Sequence, residues 1–282
     1  MADPRQHDPQ DDLELLRSAA VAAGIIAAGF FRTSVKTWTK ENASPVTEAD
    51  ETVNLYLEQA LRGARPDYGW LSEESPDNTE RLDAKRVFVV DPIDGTRAFI
   101  RGEDCWTICI AVVEDGEPIA GVVYAPARDE LYEASRGNGA FCNKRRLPFD
   151  AEERAAPLIP APGAVHNELN QSAFTHLKGP AYPSLAYRLV QVATGKIDAA
   201  LARRGSQDWD IAAAAIILSE AAITFEDVCA SRLVFNKPET RHGALAALRD
   251  KSIQKLVSDV LRRVYGCPSE TASEMSLEQQ KR

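Results

Sequence analysis

Apolar positions recur at helical spacing from Leu13 onward, so that Leu13, Leu16, Ala20, Ala23, Ala27 and Phe30 share one face of a predicted helix reaching about Phe31. Asp11 or Asp12 is placed to cap it, and the polar stretch ahead of it, residues 1–10, is expected to be disordered. Lys36 to Pro45 is polar and reads as a mobile loop. Thr47-Glu48-Ala49-Asp50 has the spacing of a capping box and starts a second helix that ends near Arg62-Gly63. The pattern then changes to strands. Trp70-Leu71-Ser72 is a short strand closed by Glu73-Glu74, and Arg86 to Val90 is β-branched or aromatic almost throughout, as a buried strand requires. Pro92 lacks an N–H and is expected to end that strand's ladder. Trp106–Val113 and Pro118–Tyr124 flank Asp115-Gly116, and Glu130–Ser135 and Ala140–Cys142 flank Gly137-Asn138-Gly139, two hairpin patterns in succession. These strands predict a largely antiparallel sheet with the first two helices on one face.

The second half starts at a proline-rich crossover, Pro157 to Gly163. Leu185–Ala193 predicts a helix stopped by Gly195, Ile197–Leu201 a strand, and Asp210–Ala222 a helix apolar nearly all round and therefore buried. Asp250 caps a last helix reaching Val264. The expectation is one α+β unit over residues 12–266 in two layered halves, 12–150 and 151–266, with disordered tails at 1–11 and 267–282.

Composition narrows the function classes. Apolar residues make up 44% and charged residues 27%, as in soluble globular proteins. Lys and Arg total 33 against 42 Asp and Glu, a net charge of −9, so neither nucleic acid nor an anionic membrane is an expected partner. An anionic substrate would have to be drawn in by bound metal. The five cysteines are scattered with no Cys-x-x-Cys, which predicts free thiols in a reducing, cytoplasmic setting. The four histidines show no zinc-ligand spacing, and the acidic start is the opposite of a signal peptide. Only 14 uncharged residues separate Arg17 from Arg32, too few to span a bilayer.

Candidate chemistry lies at the end of the Arg86 strand, in Asp91-Pro92-Ile93-Asp94-Gly95-Thr96. Asp-Pro and Asp-Gly are also ordinary turn dipeptides. As a site, Asp91, Asp94 and the Ile93 carbonyl offer hard oxygen donors, which suit Mg²⁺ better than zinc. A covalent aspartyl-phosphate enzyme would space its aspartates one residue apart, and an EF-hand would carry more Asp or Asn before the glycine; neither pattern fits. Glu73-Glu74 upstream and Trp209-Asp210 downstream add carboxylates, although Asp210 is equally a good helix cap. Asp50, Glu73, Asp91, Asp94 and Asp210 could not gather in ionised form without cations.

Taken in order, these motifs resemble the inositol monophosphatase family of Mg²⁺-dependent, lithium-sensitive phosphatases over roughly residues 12–248. The resemblance implies an α-β-α-β-α sandwich, two or three Mg²⁺ ions, a small anionic phosphorylated metabolite as substrate, and a homodimer. It places Glu73, Asp91 and the Ile93 carbonyl on a first metal and Asp91, Asp94 and Asp210 on a second. Glu73 and Thr96 would position the attacking water, Asp50 would contact Thr96, and N–H groups at Gly95-Thr96 would take phosphate oxygens. Lys40 stands where the family has a catalytic-loop lysine, although the loop length differs slightly. Pro183-Ser184 replaces the customary Gly-Ser on the substrate side, and Ala221-Ala222-Ile223 replaces Ala-Gly-Gly. Inositol-specific members carry a Glu where this chain has Arg203, a cation that suits a second phosphate or a carboxylate. Ser44 to Asp50 looks like the branch that hydrolyses 3′-phosphoadenosine 5′-phosphate, whereas Asp94 to Phe99 is similar to the histidinol-phosphate branch. Inositol 1-phosphate and fructose 1,6-bisphosphate also stay open. A regulator that kept the fold and lost turnover is the rival class, and the complete carboxylate set argues against it.

Overall fold

The computed structural model describes residues 7–40, 44–230 and 232–267. The chain folds as α1 (Pro9–Phe30), β1 (Thr37–Thr39), β2 (Pro45–Thr47), α2 (Glu48–Ala64), β3 (Gly69–Ser72), β4 (Arg86–Asp94), α3 (Thr96–Ile100), β5 (Thr107–Glu114), β6 (Glu117–Ala125), β7 (Glu130–Ser135), β8 (Gly139–Cys142) and β9 (Arg145–Arg146). It continues as β10 (Leu158–Ile159), α4 (Gly163–Gln171), β11 (Leu177–Lys178), α5 (Leu185–Thr194), β12 (Ala199–Ala202), α6 (Asp208–Glu220), β13 (Thr224–Asp227), β14 (Leu245–Leu248) and α7 (Gln254–Tyr265).

Two-residue alternation within the strands builds the layers. Phe88 and Val90 of β4 turn to one side, where they pack with α1 and α2, while Val87 and Val89 turn to the other, against α5 and α6. The large sheet has the order β3-β4-β5-β6-β7-β8-β9, parallel only between β3 and β4. A second sheet, β12-β14-β13, is antiparallel and alternates likewise. Ala200, Ala202, Leu245 and Ala247 join the α5–α6 layer, and Ala199, Leu201, Ala246 and Leu248 pack against α4 and α7. The result is the α-β-α-β-α sandwich.

Several local expectations are corrected. Helix α1 begins at Pro9 and is capped by Asp8, which accepts from the Gln10 N–H, so residues 9 and 10 are helical. Asp12 is fully buried and binds Arg86 at 2.8 Å, Arg65 at 3.1 Å and the Tyr68 hydroxyl at 2.9 Å. A carboxylate with three such donors anchors α1 to β4 and is unavailable as a cap. Helix α1 is long and apolar enough to cross a membrane by length and composition, yet its Leu13, Leu16, Ala20, Ala23 and Ala27 stripe is buried against α2 and the large sheet. The expected mobile loop at 36–45 holds the β1–β2 ribbon, with residues 41–43 outside the described residues. Pro92 does not end the ladder: β4 shifts register between Asp91 and Asp94 and then pairs again at Asp94 and Thr107. Helix α4, which starts at the last residue of the proline-rich crossover and continues beyond it, is not among the expected elements. Cys229 and Cys267 form a disulfide with Cα atoms 5.4 Å apart, so only Cys105, Cys109 and Cys142 are free, and cysteine spacing no longer argues for a reducing compartment. The expected disorder of 1–6 and 268–282 lies outside the described residues.

Helix α6 runs along the middle layer, and Gly121 on β6 makes its close approach possible. A Cβ there would meet Ile216 Cγ2 at 2.6 Å and the Ala213 backbone at 3.0 Å. Gly121→Ala is therefore expected to destabilise the protein by about 1–3 kcal/mol through overpacking, read as a lower urea midpoint with an unchanged slope. In the substituted turn after α6, Ala222 adopts a left-handed φ of 56° that glycine would take without strain.

Candidate active site

The site forms where two parallel strands run out and one helix begins. Strand β3 runs beside β4, and the Glu73 N–H donates to the Val90 carbonyl at 3.2 Å, which places Glu73 next to Asp91. Helix α6 delivers Asp210 from its third position. The helix starts at Asp208 with Gln207 as cap, so Asp210 is not the N-cap; it reaches back to accept the Gln207 N–H at 2.7 Å. Oxygens of Glu73, Asp91 and Asp210 all lie within 4.8 Å of one another.

Asp94 is adjacent to this cluster but turned aside. It accepts from Ser184 Oγ at 2.6 Å and from the Ala186 and Leu185 N–H groups at 2.8 and 3.3 Å, at the start of α5. Its Oδ1 receives only the long Leu185 bond and keeps lone-pair capacity toward the cleft. Ser184, expected on the substrate side, is fully buried as the α5 cap; its neighbours Pro183 and Leu185 line the cleft instead. The Thr96 hydroxyl lies 3.1 Å from the Ile93 carbonyl and 3.3 Å from Asp50 Oδ1. Asp50 Oδ2 closes the capping box by accepting the Thr47 N–H at 2.8 Å. Gly95 opens α3 at a φ of 96°, and a Cβ there would meet the Cys105 carbonyl at 3.1 Å. Lys40, just after β1, places its ammonium 2.7 Å from Glu74 Oε1 and 3.1 Å from Glu73 Oε1. Glu74 is thus a buried ion-pair partner, its side chain only 6% exposed, rather than a solvated neighbour.

Crowding of acids shows in their protonation. Burial, reinforced by Glu73, Asp94 and Asp210, pushes Asp91 well above the usual carboxylate range. Asp210 rises likewise through burial and the Asp94 charge. Burial lifts Asp94 to about 6 against the lowering hydrogen bonds from Ser184 and Ala186. Asp50 is also raised by burial to about 6, and Glu74 by burial to about 7. Burial would lower Lys40, but Glu73 and Glu74 outweigh it and its pKa ends raised. Carboxylates that resist ionising together, with oxygens converging on one point, fit a hard divalent cation.

The carboxylates share an open cleft of about 550 Å³ with several arginines. Arg97, Arg188 and Arg203 all line it. Among the described residues no ion pair or side-chain hydrogen bond engages these three, and Arg188 Nε is buried without a partner. Burial holds Arg188 below its ordinary pKa. Arg101, which also lines the cleft, is instead paired with Glu103 at 2.6 Å. Arg203 was expected here. Arg188 was not, although a lone charge within the apolar run Leu185-Ala186-Tyr187-Arg188-Leu189-Val190 could have marked it. Trp209 packs against the middle layer.

Comparison with known proteins gives a consistent picture. The profile of the inositol monophosphatase family matches residues 8–263. An inositol-1-monophosphatase of Rhizobium meliloti is 33% identical over 196 residues, 64% of this chain and 71% of that protein. A 3′(2′),5′-bisphosphate nucleotidase CysQ of Aggregatibacter actinomycetemcomitans is 31% identical over 246 residues, 83% of this chain and 89% of its own length. The crystal structure of the extragenic suppressor protein suhB from Bartonella henselae superposes with a TM-score of 0.74 at 28% identity, covering 88% of this chain and 97% of that one.

Proposed function

The chain belongs to the inositol monophosphatase family, and on that premise we propose that it is a Mg²⁺-dependent phosphomonoesterase whose small substrate carries a second anionic group. One observation carries the reading: the converging Glu73, Asp91 and Asp210 oxygens share a single cleft with Arg188 and Arg203, whose side chains have no ion-pair partner among the described residues.

Glu73, Asp91, Asp210, Asp94 and the Ile93 carbonyl would hold the cations. When bound, these would neutralise the phosphoryl charge and make water nucleophilic at neutral pH. Glu73 and the Thr96 hydroxyl orient the attacking water, and a Glu73 oxygen accepts its proton. Asp50 fixes the rotation of the Thr96 hydroxyl from behind. The N–H groups of Gly95 and Thr96 take phosphoryl oxygens at the start of α3. Arg188 and Arg203 grip the second anion, a job suited to guanidinium because its fork matches phosphate and carboxylate oxygens. Among the candidate substrates this favours 3′-phosphoadenosine 5′-phosphate over inositol 1-phosphate.

The test is a phosphate-release panel of 3′-phosphoadenosine 5′-phosphate, inositol 1-phosphate, histidinol phosphate and fructose 1,6-bisphosphate, with Mg²⁺ and with chelator. Turnover should need Mg²⁺ and be most efficient for a substrate with two anionic groups. Arg188→Ala and Arg203→Ala should each raise KM for that substrate by about 10- to 100-fold, the loss of one charge-assisted contact. The KM for a singly phosphorylated substrate should change by less than about threefold. Equal effects on both substrate types would remove the second-anion reading. Cation binding without turnover of any phosphate ester would favour the regulator.

A further inference from the structure

We infer that Asn236, Asp208 and His242 form a brace behind the cleft that sets the spacing between the carboxylates of Glu73 and Asp210. The inference rests on the proposed cation-ligand role of those two residues. None of the three brace residues lines the cleft, so they act as positioning residues.

Asp208 is fully buried as the first residue of α6, two positions ahead of Asp210. Buried carboxylates need partners, and both of its oxygens have one. Oδ1 lies 2.7 Å from His242 Nε2, and Oδ2 accepts the Asn236 N–H at 2.7 Å. Asn236 holds a left-handed φ of 54° and turns its side chain the other way. Its Oδ1 accepts from Arg81 Nη1 at 2.6 Å, and its Nδ2 donates to the Arg81 carbonyl at 3.5 Å. Arg81, itself 2% exposed, clamps Asp77 at 2.6 and 2.9 Å and the Lys237 carbonyl at 3.0 Å. Asp77 follows the Glu73-Glu74 turn in the chain.

Asn236 therefore ties the start of α6, which delivers Asp210, to the Asp77–Arg81 segment that follows Glu73 in the chain. Three further bonds fix the approach to α6: His242 N–H to the Ser206 carbonyl at 2.9 Å, Gly205 N–H to the His242 carbonyl at 3.0 Å, and Thr240 Oγ1 to Gln207 Oε1 at 2.7 Å. A helical turn is stiff, so any shift of Asp208 carries Asp210 with it. Mg²⁺ demands near-ideal octahedral distances, whereas Ca²⁺ accepts looser and larger shells. The brace should thus matter to Mg²⁺ more than to Ca²⁺.

The experiment is calorimetric titration of the full chain with Mg²⁺ and with Ca²⁺, alongside thermal melts and steady-state kinetics. Asn236→Gly keeps the left-handed backbone and the N–H to Asp208 while deleting both bonds to Arg81. It should weaken Mg²⁺ binding by about tenfold, the lower end for loss of an outer hydrogen-bond partner, and Ca²⁺ binding by less than about threefold. KM at saturating Mg²⁺ should be unchanged. Asn236→Asp retains the acceptor for Arg81 and should restore Mg²⁺ affinity. Thr240→Val, which deletes only the bond to Gln207, should act in the same direction at about two- to threefold, and it replaces Asn236→Gly if that variant melts early. Unchanged Mg²⁺ affinity in a folded Asn236→Gly, or equal losses for both ions, overturns the brace while leaving the proposed function intact. A wild-type chain that binds neither ion removes the proposed function and the brace together.

Discussion

Asp91→Asn is expected to lower Mg²⁺-dependent phosphate release by about 1,000-fold or more, the scale on which loss of a central electrostatic group acts, while raising rather than lowering the melting temperature of the cation-free protein. The two effects share one cause. Asp91 is 1% exposed, and burial with the nearby charges of Glu73, Asp94 and Asp210 makes its ionised form costly. An amide of the same shape can still accept the Ile93 N–H that Asp91 receives at 3.0 Å, so the fold keeps its bond and loses the repulsion. With Mg²⁺ present the order should reverse, because only the wild type gains from the ion. Near-normal turnover by the variant would remove Asp91 from the site, and a melt below that of wild type without cations would refute the account of its cost.

The second expectation concerns the ion itself. Saturation with Mg²⁺ at 100 times its dissociation constant stabilises the folded state by about 2.7 kcal/mol, which in a chain of this size raises the melting temperature by about 5 °C. The shift should be larger at pH 8 than at pH 5.5. In the cation-free protein Asp50 and Asp94 sit at about 6 and Glu74 at about 7, above their ordinary values of 3.8, 3.8 and 4.5. The folded state therefore binds more protons than the unfolded chain between those limits, and stability falls as pH rises from about 4 to about 7. Mg²⁺ binding reverses that loss once the carboxylates are ionised. Melts with and without Mg²⁺ across this range measure the effect directly; a shift independent of pH would separate cation binding from these groups.

The features legible in the sequence were those whose partners lie close along the chain. The Arg86–Val90 strand, the Thr47–Asp50 capping box and the hairpin at Asp115-Gly116 depend on periodicity and local turns, and each formed as expected. The acidic cluster was legible because three separate motifs each put a carboxylate at or near the boundary of a predicted element. Distant contacts left no such mark. Asp12 looks like a cap until Arg86, 74 residues away, claims it. Ser184 looks like a substrate contact until Asp94 turns it inward. Asp208 lies ahead of the expected helix start and carries no signal of its own, and only the fold shows that His242 and Asn236 occupy both of its oxygens. Helix α4 spans 9 residues with little apolar periodicity, too short for the spacing to stand out.

Lys40 gives the site a property of its own. Its ammonium already rests against Glu73 and Glu74, so an arriving divalent ion meets acids that are partly satisfied from within. A cation held at Glu73 would compete with the Lys40 ammonium for that carboxylate, so its net gain there would be only the difference between the two. The short β1–β2 ribbon beside Lys40 is the part of the molecule that would feel whether the trade has taken place.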